Sequence, residues 1–145
     1  MQILVQDALC SGCRACEVAC VAWHDGRFGT ATARIRVRKI EHLGVVRPVV
    51  CHACAEAPCV AACPSSALSR DEATSAVLLS ADDCIVCSAC ADACTLGGVL
   101  VHPSSSHPLI CDLCHGEPAC VARCVTGALR YGSPEADDQG RSAGA

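Results

Sequence analysis

A chain of 145 residues is long enough for one domain or two very small ones. Its only aromatics are Trp23, Phe28 and Tyr131, so the large side chains that usually fill a core are nearly missing, and sixteen cysteines stand where internal staples are needed. A net charge of −4, without Lys/Arg blocks or interleaved aromatics, argues against nucleic-acid binding, and no apolar run approaches the roughly 20 residues of a membrane helix. Met1–Gln6 has no basic, apolar or cleavage region of an export signal, so the expected location is cytoplasmic unless a partner carries the chain across a membrane.

In chain order, residues 2–9 are predicted as a first strand that feeds a cysteine loop at Cys10–Cys16. Cys16 to about Trp23 suits a short helix, and Asp25–Thr30 reads as a turn punctuated by Gly26 and Gly29. Arg34–Ile40 alternates with period two, which predicts a half-buried strand with Arg34, Arg36 and Arg38 on one face and Ile35 and Val37 on the other. That basic row reads as a solvated face, or more sharply as a docking surface for an acidic partner. After a turn at His42–Gly44, Val45–Val50 leads into Cys51. Ala76–Leu79 is expected to hairpin back on Ala67-Leu68 across the polar turn Arg70–Ser75. Val99–Val101 and Leu109-Ile110 form a comparable pair around the loop His102–Pro108, and Ala128–Tyr131 is the last strand candidate. Residues 132–145 lack periodicity and read as a disordered tail.

The cysteines carry the chemistry. Cys10, Cys13, Cys16 and Cys20 have the spacing C-x2-C-x2-C-x3-C, in which three thiolates hold one [4Fe–4S] cube and the fourth reaches a neighbouring cube. Cys84, Cys87, Cys90 and Cys94 copy it. Cys51, Cys54, Cys59 and Cys63 stretch the middle gap to four residues, and Cys111, Cys114, Cys120 and Cys124 stretch it to five. Proline at Pro58 and Pro118 fixes a bend in each expanded loop. A disulfide scaffold has no need of four near-identical runs. A zinc site takes two C-x2-C pairs, whereas each run here offers three or four thiols. Small or turned-away residues at Gly12, Ala15, Ala53, Ser88 and Ala89 let three thiolates share one cube and let backbone N–H groups approach the sulfurs.

Only residues 64–83 separate runs two and three, which makes them natural partners and leaves runs one and four for each other. One cluster would then take Cys10, Cys13, Cys16 and Cys124, and a second Cys111, Cys114, Cys120 and Cys20. A third would take Cys51, Cys54, Cys59 and Cys94, and a fourth Cys84, Cys87, Cys90 and Cys63. The alternative, pairing run one with two and three with four, is possible from sequence alone. His52 and His115 read as spacers or hydrogen-bond donors, while His24, His42, His102 and His107 have no ligand spacing, and Asp82-Asp83 reads as a solvated turn. There is no nucleophile–base constellation, phosphate loop or carboxylate pair, so the chain is expected to be non-catalytic.

Over residues 2 to about 131 the four runs resemble the four-cluster iron–sulfur subunits that accompany molybdenum or tungsten oxidoreductases, hydrogenases and carbon monoxide dehydrogenases. PVVCHACAEAPC from Pro48, ALSRDE from Ala67 and CDLCHGEPAC from Cys111 are most similar to the small subunits of tungsten-dependent aldehyde oxidoreductases and of related aromatic-ring reductases. The resemblance implies an α+β fold of two ferredoxin-like modules in one compact chain of residues 1–131. The outer module would combine the runs at 10–20 and 111–124, and the inner one those at 51–63 and 84–94. It further implies the nested pairing and a wire of four [4Fe–4S] clusters. The implied partner is a large catalytic subunit that alone carries tungstopterin or molybdopterin. A flavin/NAD-binding subunit or a soluble ferredoxin is the other redox partner, within a hetero-oligomer that the chain also helps to link. A free polyferredoxin is the alternative. Val21, Thr95 and Val125 replace the proline usual after the fourth cysteine, and Ile85-Val86 stands where a glycine is common.

Overall fold

The computed structural model describes residues 1–133. Strand β1 (Gln2–Val5) is shorter than the predicted 2–9, because the chain turns into a 3-10 segment at Asp7–Leu9 before Cys10. Helix α1 (Ala15–Asp25) is the one long helix among the described residues, and Gly26 ends it in the left-handed region at φ 64°. Strands β2 (Ile35–Ile40) and β3 (Val45–Val50) form an antiparallel hairpin whose register pairs Ile35 with Val50 and Ile40 with Val45. Three one-turn helices follow: α2 (Pro58–Ala61), α3 (Ala89–Asp92) and α4 (Ala119–Ala122). Pro58 opens α2, where its preset φ suits the first helical position.

Strands β4 (Leu68–Arg70) and β5 (Val77–Leu79) pair antiparallel, as the alternation across Arg70–Ser75 predicts. The second expected pair shrinks to a single bridge, Leu100 to Leu109, because Pro108 beside it has no N–H to extend a ladder. Strand β6 (Leu129–Gly132) pairs antiparallel with β1, so the two ends of the described chain lie side by side. Gly132 thus closes a strand instead of starting a tail, and the expectation for 134–145 lies outside the described residues.

Short helices and three two-stranded sheets make an α+β chain. Helix α1 packs on α4, and α2 on α3. One apolar core runs through these layers. Ile3, Val21, Ile35, Val50, Val77 and Leu113 are its largest fully buried members, and seven of the cysteines belong to it. No helix of the described residues is long and apolar enough to cross a membrane.

Each cysteine loop needs a left-handed residue just before its second cysteine: Gly12 (φ 74°), Ala53 (47°), Val86 (54°) and Leu113 (58°). Such positions turn successive N–H groups toward one centre. Glycine adopts this backbone freely, whereas a β-branched residue there is an outlier that costs roughly 1–3 kcal/mol. Val86→Gly should therefore raise stability by about 1 kcal/mol after the entropic cost of glycine is subtracted. The check is the denaturant midpoint of the cluster-loaded protein, and a fall would show that the half-exposed valine side chain contributes more than the strain removes.

Candidate iron–sulfur sites

The structure gathers the sixteen thiols, none in a disulfide, into four groups of four. The loop after β1 and the loop after α4 line one small pocket with Cys10, Cys13, Cys16 and Cys124, here site 1. Cys51, Cys54, Cys59 and Cys94 line another, site 3. Cys63, Cys84, Cys87 and Cys90 line a third, site 4. The remaining four form site 2, where burial first, and then neighbours that include Cys20, push the thiols of Cys111, Cys114 and Cys120 upward. In each run the first three cysteines share one site and the fourth, roughly a helical turn on, reaches another.

The sites are neighbours in a definite order. Cys16 of site 1 lies among the charges acting on Cys120 of site 2, Cys51 of site 3 among those acting on Cys111, and Cys59 of site 3 among those acting on Cys90 of site 4. All four members of site 2 are buried, whereas Cys13 of site 1 and Cys87 of site 4 are exposed. Site 2 is thus sealed, site 3 is half-buried at Cys54 and Cys94, and both ends of the row reach solvent.

The donor set fits a multi-iron core better than a single ion. Zinc at about 2.3 Å from each sulfur would draw thiolates to about 3.8 Å from one another. Among the described residues only His24, Asp112 and Cys114 bring three ligand atoms within 4.8 Å, and no cysteine group does so. The thiols of sites 1, 3 and 4 instead line small clefts, spread around a centre and not drawn in to a single-ion distance. Burial raises Cys16 and Cys120 to about 12 and Cys51 to about 11, so these sulfurs become thiolates at neutral pH only with a metal to take the charge.

The sulfur of each fourth cysteine has a hydrogen-bond partner of its own. Arg34 N–H donates to Cys20 Sγ and Gly98 N–H to Cys94 Sγ, both at 3.2 Å. Ser65 Oγ lies 3.7 Å from Cys63 Sγ and Thr126 Oγ1 lies 3.6 Å from Cys124 Sγ. Burial raises Cys63 and Cys124, but these hydroxyls and the backbone N–H groups that follow outweigh it and lower both.

Several residues outside the sixteen shape the sites. Arg70 reaches back from β4 and donates to the carbonyls of Ala53 and Ala55, at 3.1 and 2.5 Å, inside the run-two loop. Glu17, 2 % exposed, accepts from Val37 N–H at 2.6 Å and ties α1 to β2. Arg34 does not join the exposed basic row expected for it. Its guanidinium meets Asp112 at 2.6 Å, and Asp112 also accepts from Cys114 N–H and from His24 Nε2, each at 3.0 Å. His24, dismissed for want of ligand spacing, sits one turn after Cys20 and holds that residue's carbonyl at 2.8 Å through Nδ1. Burial opposes a charge on His24, but Asp112 and Cys20 outweigh it and raise it to about 9. Burial likewise opposes the Asp112 carboxylate, and His24 and Arg34 hold it well below the usual range. This strap locks run four onto α1 and accounts for the His24, Asp112 and Cys114 convergence without an ion. The i, i+4 spacing of Cys20 and His24 on a predicted helix was the available signal.

Residues 44–134, which hold runs two, three and four, match the 4Fe-4S dicluster domain. The chain belongs to that family. Run one lies ahead of the match. The polyferredoxin-like subunit of an aliphatic sulfonate oxidoreductase from Pyrococcus furiosus is 43% identical over 122 residues, 84% of this chain and 70% of that protein. The electron transport protein HydN of Escherichia coli is 35% identical, covering 88% of this chain and 85% of its own. The β subunit of NADH-dependent phenylglyoxylate dehydrogenase from Aromatoleum evansii is 32% identical, and the match spans 29% of its length. A chain of the active-site complex BamBC of benzoyl coenzyme A reductase, in complex with benzoyl-CoA, superposes with a TM-score of 0.51 at 28% identity over 97% of this chain and 86% of that one.

Proposed function

We propose that the chain is the electron-transfer subunit of an oxidoreductase complex, with the sixteen cysteines holding four [4Fe–4S] clusters in the nested arrangement. The observation that carries this is the row of four thiol groups, fully buried at site 2 and open at Cys13 and Cys87. Each cluster, when bound, takes up and passes on one electron. The protein's part is to hold the row in register, to keep water from the middle and to aim N–H and O–H donors at the fourth cysteine of each run, which favours the more negative state. Two nested modules support the row, the outer built on β1, β6, α1 and α4 and the inner on β4, β5, α2 and α3. The chain itself carries out no bond chemistry, because cysteine ligation leaves no open iron.

The favoured partner is a large tungsten subunit that oxidises aldehydes and holds the pterin, with a flavin/NAD-binding subunit or a soluble ferredoxin at the other end of the row. The sulfonate-oxidoreductase and benzoyl-CoA-reductase relatives support a subunit role in such complexes. A molybdenum enzyme, hydrogenase or carbon monoxide dehydrogenase is the second reading of the partner. Elemental analysis of the anoxically purified native complex tests both levels. About sixteen iron atoms per chain are expected from four cubes, with further iron and tungsten from the partner. Molybdenum or nickel would reassign the partner, iron near sixteen without a second metal would indicate a free carrier, and zinc with little iron would overturn the reading.

A further inference from the structure

Charge is distributed unevenly along the row of sites. From residue 71 to 122 the sequence has no Lys or Arg, and it holds Asp82, Asp83 and Asp92 around the run that lines site 4. All three are exposed. At the other pole, Arg14, Arg36 and Arg38 line an open pocket of about 330 Å³ that shares Arg14 and Val37 with the pocket of site 1. Arg14 stands between Cys13 and Cys16 themselves. The chain's single lysine, Lys39, lies against Gly12 of the same loop.

These cations are left over from folding. Among the described residues none of Arg14, Arg36, Arg38 and Lys39 is in an ion pair. Arg36 donates only to the carbonyls of Thr30 and Ala31, which leaves its charge uncompensated. The one acid in the pocket, Glu17, is buried and turned onto Val37 N–H. Beside the cations stand exposed apolar side chains: Leu9 before Cys10, Val125 after Cys124, and Val101 in the pocket wall. Apolar area within a charged rim is the make-up of a protein interface.

We propose that the site 1 end, through Arg14, Arg36, Arg38 and Lys39, docks an acidic protein surface, and that the acidic site 4 end repels the same partner. The reading rests on the electron-transfer function proposed above. It fixes a direction for the molecule: an acidic electron carrier meets the row at Cys13, not at Cys87. Complementary charge of this kind acts chiefly on the rate of encounter, by about 10-fold to 10³-fold at low salt.

The test uses the cluster-loaded full chain and a reduced acidic plant-type ferredoxin as the probe. Electron transfer is followed by stopped flow at about 0.01 M salt, where charges act over about 30 Å, and at about 1 M, where they act over about 3 Å. The rate should be about 10-fold or more faster at low salt. The double variant Arg36→Glu/Arg38→Glu, at residues outside the site 1 pocket, should lose that advantage while its rate at high salt is unchanged. A zero-length carbodiimide should join a probe carboxylate to Lys39, and the double variant should lose this product. Iron content, visible spectrum and reduction by a small neutral photoreductant guard the comparison. If these fail in the wild type, the electron-transfer reading itself falls. If they hold while the rate ignores salt and the double variant transfers and cross-links as the wild type does, the docking proposal alone is overturned. A low-salt advantage abolished instead by Asp82→Lys/Asp83→Lys would place the contact at the wrong end and overturn it as well.

Discussion

Gly98→Ala should empty site 3 and leave about twelve iron atoms per chain instead of about sixteen. A Cβ on Gly98 would stand 2.7 Å from Cys51 Cα, 2.8 Å from Cys51 N and 2.9 Å from Val50 O. All three are backbone atoms, so no side-chain rotation relieves the contact. The Cys94–Gly98 loop and the start of run two must move apart, and Cys51 and Cys94 belong to the same thiol group. The shift also breaks the Gly98 N–H bond to Cys94 Sγ. Overpacking of this kind costs about 1–3 kcal/mol even before ligands are displaced. Gly132→Ala is the control, since its Cβ would meet Leu4 Cδ1 at an ordinary 3.5 Å. Iron per chain, the intensity of the cluster absorption and the denaturant midpoint decide the matter. A Gly98→Ala protein with full iron and an unchanged midpoint would show that the two loops are not held at the distance seen.

The second large effect is expected at site 2. Cys120 is 4 % exposed, belongs to the apolar core and stands between the thiols of site 1 and the rest of site 2. Cys120→Ala should lower iron to about twelve per chain and reduce stability sharply, because metal binding at a buried site is also folding free energy. It should further open a gap in the row, since Cys16 on one side and Cys51 on the other are the neighbours that site 2 connects. Electrons supplied at the site 1 end would then reach site 4 at least about 10-fold more slowly, a barrier increase of about 1.4 kcal/mol or more. Cys87→Ala, at an exposed ligand position on the end of the row, should lose iron from site 4 while sites 1 to 3 still reduce together. The comparison is made by the spectra of partly reduced samples and by stopped flow. Equal behaviour of the two variants would contradict the linear order.

Much of the site could be read without coordinates. The spacing inside each run reports which thiols converge, because gaps of two to five residues leave a loop few ways to turn. The β4–β5 hairpin and helix α1 were equally legible from alternation and from small apolar residues near Cys16–Trp23. The β2–β3 pairing was not anticipated, although Val45–Val50 was seen to lead into Cys51, because nothing local states which strand a strand will meet. The basic row predicted from the alternation forms only in part. Arg38 is exposed on it, but Arg34 leaves it for Asp112, a partner 78 positions away in the chain and invisible to any local pattern.

What the sequence by itself determined is the chemistry: sixteen soft ligands in four short loops, too few large apolar side chains for an ordinary core, and small residues where sulfurs need room. Only the tertiary structure shows which fourth thiol lies beside which loop, how the four groups follow one another, and which thiols reach solvent. It also decided the tight approach of Gly98 to Cys51 and the His24–Asp112 strap that spans 88 positions. The physical reason is one of range. Loop geometry within a run is set by a few torsions, whereas pairing of runs, burial and charge polarity arise where distant segments pack, at contacts whose energy depends on both partners at once.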